Sequence, residues 1–126
     1  VLLLPEDADR SAQAIRAGLE MHFSKRLGVL IIDSYGRAWR NGIIGMSIGL
    51  SGMPALVDMR GKPDRNGYAL RVTVIAAADE LAAGASLMMG QAAESTPVVL
   101  AQGFPYELVE DQASRLVRSK QSDLFR

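Results

Sequence analysis

The sequence predicts an α+β fold: one mixed α/β domain with a mixed or antiparallel sheet of about five strands and three helices. Three observations predict it. Residues 29–32, Val-Leu-Ile-Ile, form an apolar run with no polar face, the mark of a strand covered on both sides. Residues 10–25 and 74–89 carry apolar side chains at helical spacing. Between and beyond them lie short extended stretches punctuated by glycine and proline. The 126 residues suit a single domain over 1–126, which at this size buries about two thirds of its unfolded surface.

In chain order, Leu2 to Leu4 form a first strand ended by Pro5, and the acidic Glu6, Asp7 and Asp9 stand where a helix N-terminus favours negative charge. A packing helix follows over 10–25, with Ala12, Ile15, Leu19 and Phe23 on one stripe. His22, near its end, reads as a surface or helix-end histidine. The strand at 29–33 is followed by an extended return over 42–52. Glycines 45, 49 and 52 there mark a bulge or the close approach of a backbone or ligand, with sheet packing or a subunit contact ahead of direct ligand contact. A further strand at 55–59 leads into a loop, 60–67, rich in turn residues and charge. Asp64, Lys62 and Arg65 in that loop read first as a solvated hairpin tip and second as metal and phosphate ligands. The alanine-rich pattern 74–89 predicts a buried helix; its Asp79 and Glu80 form an exposed stripe or, alternatively, face a site or a dimer partner. Residues 97–103 predict another buried strand, and 110–118 a short last helix.

Composition excludes several chemistries. Fourteen basic and fourteen acidic residues leave no global field for nucleic acid or an anionic membrane, so any binding is local. No cysteine and one histidine remove thiolate nucleophiles, disulfides and a histidine-built zinc site. A metal, if held, is held by oxygen. No run reaches the roughly 20 apolar residues of a membrane span, and the opening lacks a signal peptide's basic flank, so the expected location is cytoplasmic. The chain opens at Val1, inside an apolar strand, which predicts a trimmed polypeptide whose first strand pairs with something upstream.

The candidate site is the stretch 33–42. Asp33 ends the apolar run and offers oxygens to a hard cation; Arg37 and Arg40 offer planar donor forks to phosphate or carboxylate; Ser34 and Gly36 complete a close turn. The same residues also fit plain punctuation, with Asp33 capping a turn and the arginines solvated.

Taken together, the ordered series LLPEDADRSA, IIDSYGRAWRNG, MSIGLSG, LVDMRGKPDRNGYALRVT, AAADELAAGASLMMGQA, PVVLAQG and DLFR resembles the coenzyme F(420):L-glutamate ligase family, the gamma-glutamyl ligases of that deazaflavin coenzyme. The resemblance covers this whole chain as the C-terminal half of such a ligase; the N-terminal half is absent. It implies a GTP-dependent amide ligation of L-glutamate to the deazaflavin precursor through an acyl phosphate. It further implies Mg²⁺ or Mn²⁺, with K⁺ as a further candidate, held by Asp33 and Thr73. Ser34, Gly36, Arg37, Arg40 and Arg118 are the nucleotide- and substrate-binding positions, and Arg126 is a second phosphate candidate in the tail. Two departures stand out: Ala8 where the family has proline, and Val72 where some members carry an aspartate, which leaves the number of metals open. The expected assembly is an intertwined homodimer or a pairing with a companion N-terminal segment, without which the polypeptide binds GTP and Mn²⁺ poorly. The alternatives are a non-catalytic binding or oligomerisation fragment, and a related nucleotide-dependent ligase with another acidic acceptor.

Overall fold

The computed structural model describes residues 4–123. Its elements are α1 (Ala8–Phe23), β1 (Val29–Arg37), β2 (Arg40–Ser51), β3 (Val57–Asp58), β4 (Val74–Ile75), α2 (Ala77–Met89) and a 3₁₀ turn, Ala113–Leu116. The class is α+β, as expected, with two helices and two small antiparallel sheets, β1–β2 and β3–β4. Five strands in one sheet and three helices are not what forms. The strand placed at Leu2–Leu4 falls largely outside the described residues. That at 55–59 shrinks to β3, and 97–103 forms no strand. The last helix is one 3₁₀ turn.

The long hairpin β1–β2 is the organising element. Its register pairs Leu30 with Leu50, Ile32 with Ser47, Asp33 with Met46, and Arg37 with Arg40. Ile48 is an extra residue on β2 where the ladder shifts between Ile31 and Ile32, so a bulge sits there. Alternation about this register places Leu30, Ile32, Ser34, Gly45 and Ser47 on one face. Ile31, Asp33, Tyr35, Arg37, Met46, Gly49 and Ser51 lie on the other.

A helix closes on each face. A Cβ at Gly45 would lie 2.5 Å from the Ser86 Cβ and 2.7 Å from the Ala82 carbonyl oxygen, so α2 touches the strand backbone there. On the opposite face, a Cβ at Gly49 would meet the Ala8 carbonyl carbon at 2.4 Å, which seats the first turn of α1 on β2. Gly45 and Gly49 therefore mark the approach of helices, while Gly52 meets the Arg16 guanidinium and the Leu27 carbonyl.

Helix α1 is capped by Asp7, whose Oδ1 accepts from the Arg10 N–H at 2.8 Å, and it ends at Ser24 in the left-handed region. Of the apolar stripe that its pattern predicts, only Ala12 packs fully. Ala12 is fully buried and Arg16 donates to Glu20 at 2.9 Å and to Glu110, while Ile15, Leu19 and Phe23 stay substantially exposed. The reason is the glycine contact: only small side chains let α1 approach β2 this closely.

The core is small. Leu50, Met53, Ala55, Ala78 and Ala113 are buried, with Leu30, Leu56, Leu81, Phe104, Leu108 and Leu116 packed against them. The accessible surface is 9869 Å². A compact 13.6 kDa monomer exposes roughly 6,600 Å² by the usual size scaling, so the chain buries about half of its unfolded surface rather than two thirds. Among the described residues, no helix is long and apolar enough to cross a membrane.

Candidate functional site

Asp33 is not at the end of a strand. β1 continues four residues past it to Arg37, and the stretch taken as a loop is a strand, a two-residue turn of Ala38 and Trp39, and the start of β2. The cause is tertiary. Side chains from both helices hold β2 by its outer N–H groups: Ser86 Oγ accepts from Gly45 at 3.2 Å, Asp79 Oδ1 from Ser47 at 3.0 Å, and Asp9 Oδ1 from Leu50 at 2.8 Å. So anchored, β2 templates β1 beyond its apolar segment.

Strand alternation then sorts the candidates. Asp33, Tyr35 and Arg37 stand in a row on the α1 face of β1, and Arg40 faces Arg37 across the turn. Ser34 and Gly36 belong to the opposite face. The Asp33 Oδ1 accepts from the Ser34 N–H at 2.7 Å, and the Arg37 guanidinium donates to the Asn41 carbonyl at 3.3 Å. Among the described residues, the buried Arg37 Nε finds no hydrogen-bond partner. Among the described residues, none of Asp33, Arg37 and Arg40 joins an ion pair. At the tip, Trp39 is 90% exposed with φ of 64°, and Tyr35 is 57% exposed.

The other candidates are scattered. Thr73 precedes β4 and is half-buried; its carbonyl accepts from the Met59 N–H at 3.0 Å, and no described hydrogen bond links it to Asp33. Val72 is 85% exposed. Arg118 lies exposed beyond the 3₁₀ turn, and Arg126 is outside the described residues. Asp64 caps its own turn, accepting from the N–H groups of Asn66 at 2.8 Å and Tyr68 at 2.9 Å, with Lys62 and Arg65 exposed beside it. Asp79 is a latch to β2 rather than part of an exposed stripe, which leaves that reading to Glu80. His22 stacks edge-on against Phe23 at the exposed end of α1, as a helix-end histidine.

Among the described residues no three His, Cys, Asp or Glu side chains gather as a metal cage. Asp33 offers one carboxylate. That suits Mg²⁺ chemistry only where substrate phosphates and water complete the coordination.

Sequence reasoning missed a second polar region. An open cleft of about 830 Å³ lies between the α1 N-terminus and the C-terminal segment, lined by Asp9, Arg10, Glu110, Asp111 and Arg115 among others. Its carboxylates are structural. Asp9 Oδ1 accepts from Ala113 at 3.1 Å as well as from Leu50, and Asp111 accepts from the Ala55 N–H at 3.0 Å and from Arg115 at 2.8 Å. Burial works hardest against the Asp111 charge, yet the N–H groups of Ala55 and Gln112 and the Arg115 guanidinium together hold its carboxyl below the usual carboxylate range. The only signal in the sequence was acidic residues near the start of α1, which a favourable helix dipole explains equally well.

Asp111 and three carboxyls elsewhere, all held below their ordinary range, set the acid response. Arg60, by side chain and backbone, takes Asp58 from 3.8 to about 2. The Leu27 N–H and Arg16 lower Glu20, and the Ala92 N–H lowers Glu94. A carboxyl held low binds fewer protons folded than unfolded. Its contribution is therefore complete above the unfolded value and fades as pH falls through the folded one. Thermal unfolding should stay level down to about pH 5 and drop progressively toward about pH 2. Asp111→Asn should flatten part of that slope; an unchanged slope would remove Asp111 from the acid response.

A two-stranded hairpin clamped between helices, with a carboxylate and guanidinium groups on one face, defines an α+β domain. Comparison with known proteins specifies it further. The model of the F(420)-0:gamma-glutamyl ligase family matches residues 1–103, and the chain belongs to that family. It is 43% identical over 130 residues to the coenzyme F(420):L-glutamate ligase of Methanopyrus kandleri, covering 100% of this chain and 52% of that protein. It is 42% identical over 126 residues to that of Methanocaldococcus jannaschii, covering 100% and 51%. Against the ligase of Halobacterium salinarum it is 40% identical over 126 residues, covering 100% and 48%. The chain thus spans about half the length of the curated relatives it matches.

Proposed function

We propose that this chain forms part of a GTP-dependent ligase that joins L-glutamate, through a gamma linkage, to the deazaflavin precursor of coenzyme F(420). The observation that carries the reading is the row Asp33, Tyr35 and Arg37 on one strand face, with an Arg37 N–H that lacks an acceptor among the described residues. Family membership supplies the reaction class.

The step has two stages. A carboxylate oxygen of the acceptor attacks the γ-phosphorus of GTP, and the bond to GDP breaks. The amine nitrogen of glutamate then attacks the acyl carbon, and inorganic phosphate leaves with the bonding pair as the amine proton is lost to a base. Phosphoryl transfer asks a protein mainly for positioning and charge neutralisation. Arg37 and Arg40 would hold phosphate oxygens or the acidic substrate, joined by Arg118 and by the Ser34 and Gly36 backbone. A divalent cation, Mg²⁺ or Mn²⁺, would neutralise charge on the transferring phosphoryl group, with Asp33 and Thr73 as its protein oxygens. The enzyme would work as a homodimer in the cytoplasm.

The test is incorporation of labelled glutamate into the deazaflavin precursor by the complete enzyme. Asp33→Asn should lower the rate at least about 100-fold while the folded signal is kept. A variant as active as the parent would take Asp33 out of the mechanism. A second reading, a docking module inactive by itself, is favoured by the large accessible surface. Tight GTP binding by the isolated chain in a calorimetric titration would count against it.

A further inference from the structure

The tip of the β1–β2 hairpin holds a residue in a conformation that its type disfavours. Trp39 is the second central residue of the two-residue turn between Arg37 and Arg40, and its φ is 64°. A turn with positive φ at that position normally takes glycine or asparagine, because a Cβ there crowds the following carbonyl oxygen. Nothing inside the chain offsets the strain of a bulky indole in that place. Trp39 is 90% exposed and, among the described residues, touches no other ring. Strain kept without an internal contact to hold it points to a use outside the chain.

Its neighbours share one chemistry. Arg37 and Arg40 flank Trp39 and pair across the turn, and the buried Arg37 Nε finds no partner among the described residues. The Cα atoms that bracket such a turn lie within about 7 Å, so both guanidinium groups and the indole start from one small patch of backbone. Tyr35, on the same strand face as Arg37, is 57% exposed. Guanidinium groups beside exposed aromatic rings suit a ligand that is an anion at one end and a flat ring at the other. The other described aromatics are engaged elsewhere: Phe23 meets His22, Phe104 and Tyr106 meet each other, and Tyr68 closes the Asp64 turn.

We infer that Trp39 stacks on the planar ring of an anionic substrate whose phosphate or carboxylate is held by Arg37 and Arg40. The inference rests on the reaction proposed above, which brings two such molecules, GTP and the deazaflavin precursor. The residues given roles in that reaction hold anions and a cation, and they leave both rings without a contact. Stacking is tolerant of ring identity, so the patch selects a shared chemistry and the experiment separates the two sources. Tryptophan, tyrosine and arginine also anchor protein interfaces. A small ligand is favoured because one molecule supplies both the acceptor that the Arg37 Nε lacks and the ring that Trp39 lacks.

The test titrates the complete enzyme by calorimetry with GTP, with the deazaflavin precursor, and with inorganic triphosphate as an anion that has no ring. Trp39→Ala should weaken one of the two ring-bearing ligands about tenfold and leave inorganic triphosphate unchanged; the ligand that weakens names the ring. Trp39→Phe should recover most of the affinity. Trp39→Gly should weaken the same ligand without lowering the unfolding temperature, since glycine accepts the φ of the turn. Equal weakening of inorganic triphosphate would make Trp39 a support for the arginines and overturn the stacking. Unchanged affinity for both ring-bearing ligands would overturn it too, as would a smaller particle in light scattering of Trp39→Ala, which would make the tip a protein contact. In each of these cases continued incorporation of labelled glutamate by the parent leaves the ligase reading standing. A parent that binds neither ring-bearing ligand overturns both.

Discussion

Gly49→Ala is expected to cost about 3 kcal/mol of folding stability and to lower the unfolding temperature by roughly 10 °C. The added methyl group would lie 2.4 Å from the Ala8 carbonyl carbon and 2.5 Å from its oxygen. Both are backbone atoms in the first turn of α1, so no side-chain rotation relieves the clash. The helix itself must lift from β2. With it goes Asp9, whose carboxylate reaches Leu50 in the same strand. Gly18 and Gly84 serve as internal controls. A Cβ at either meets nothing within 4 Å, and both lie within helices. Alanine there should raise stability by about 0.5–1 kcal/mol by restricting the unfolded chain and favouring helix. Calorimetric scans of the three variants decide the matter. Equal, small effects at all three would refute the close contact between α1 and β2.

Removing the Asp9 carboxylate is the second large effect. Its Oδ1 accepts from Leu50, 1% exposed, and from Ala113, 7% exposed, and so ties together the first helix, the hairpin and the C-terminal segment. Asp9→Ala strands two buried N–H groups, at about 1–3 kcal/mol for each group left without an acceptor, and should cost about 3 kcal/mol in a urea titration. Asp9→Asn keeps a side-chain oxygen and should recover about half of the loss, lacking only the charge. Hydrogen exchange gives an independent readout: the amides of Leu50 and Ala113 should lose protection together in the alanine variant. If only one did, the carboxylate would not be their shared acceptor.

Local features of the structure were legible in the sequence wherever a physical signal was local. The acidic residues at the start of α1, the turn at Asn66 and Gly67, the Gly90 stop after α2 and the apolar run opening β1 each follow from the chemistry of a few neighbouring residues. What misled was the rest of the α1 stripe beyond Ala12. Ile15, Leu19 and Phe23 have packing spacing, but the face that docks carries Ala8, Ala12 and Arg16. Residues 97–103 misled in the same way: a strand pattern reports what a segment can pair with, not whether this chain provides the partner.

The candidate site divides along the same line. Sequence named Asp33, Arg37 and Arg40 because a carboxylate and two guanidinium groups within eight positions are chemically conspicuous. Placement was another matter, since the capped outer edge of β2 extends the ladder and turns a supposed loop into strand, setting Asp33 and Arg37 on one face and Ser34 on the other. Thr73, forty residues further on, shows no described hydrogen bond to Asp33.

By itself, the sequence determined the α+β class, the existence and approximate position of the two helices, and the family. Only the tertiary structure decided which face of each helix is buried, where the hairpin ends and which edge of β2 is capped. Those depend on contacts between residues far apart in the chain, such as Asp9 with Ala113 or Gly45 with Ser86, whose energies exist only once the backbone brings the partners together.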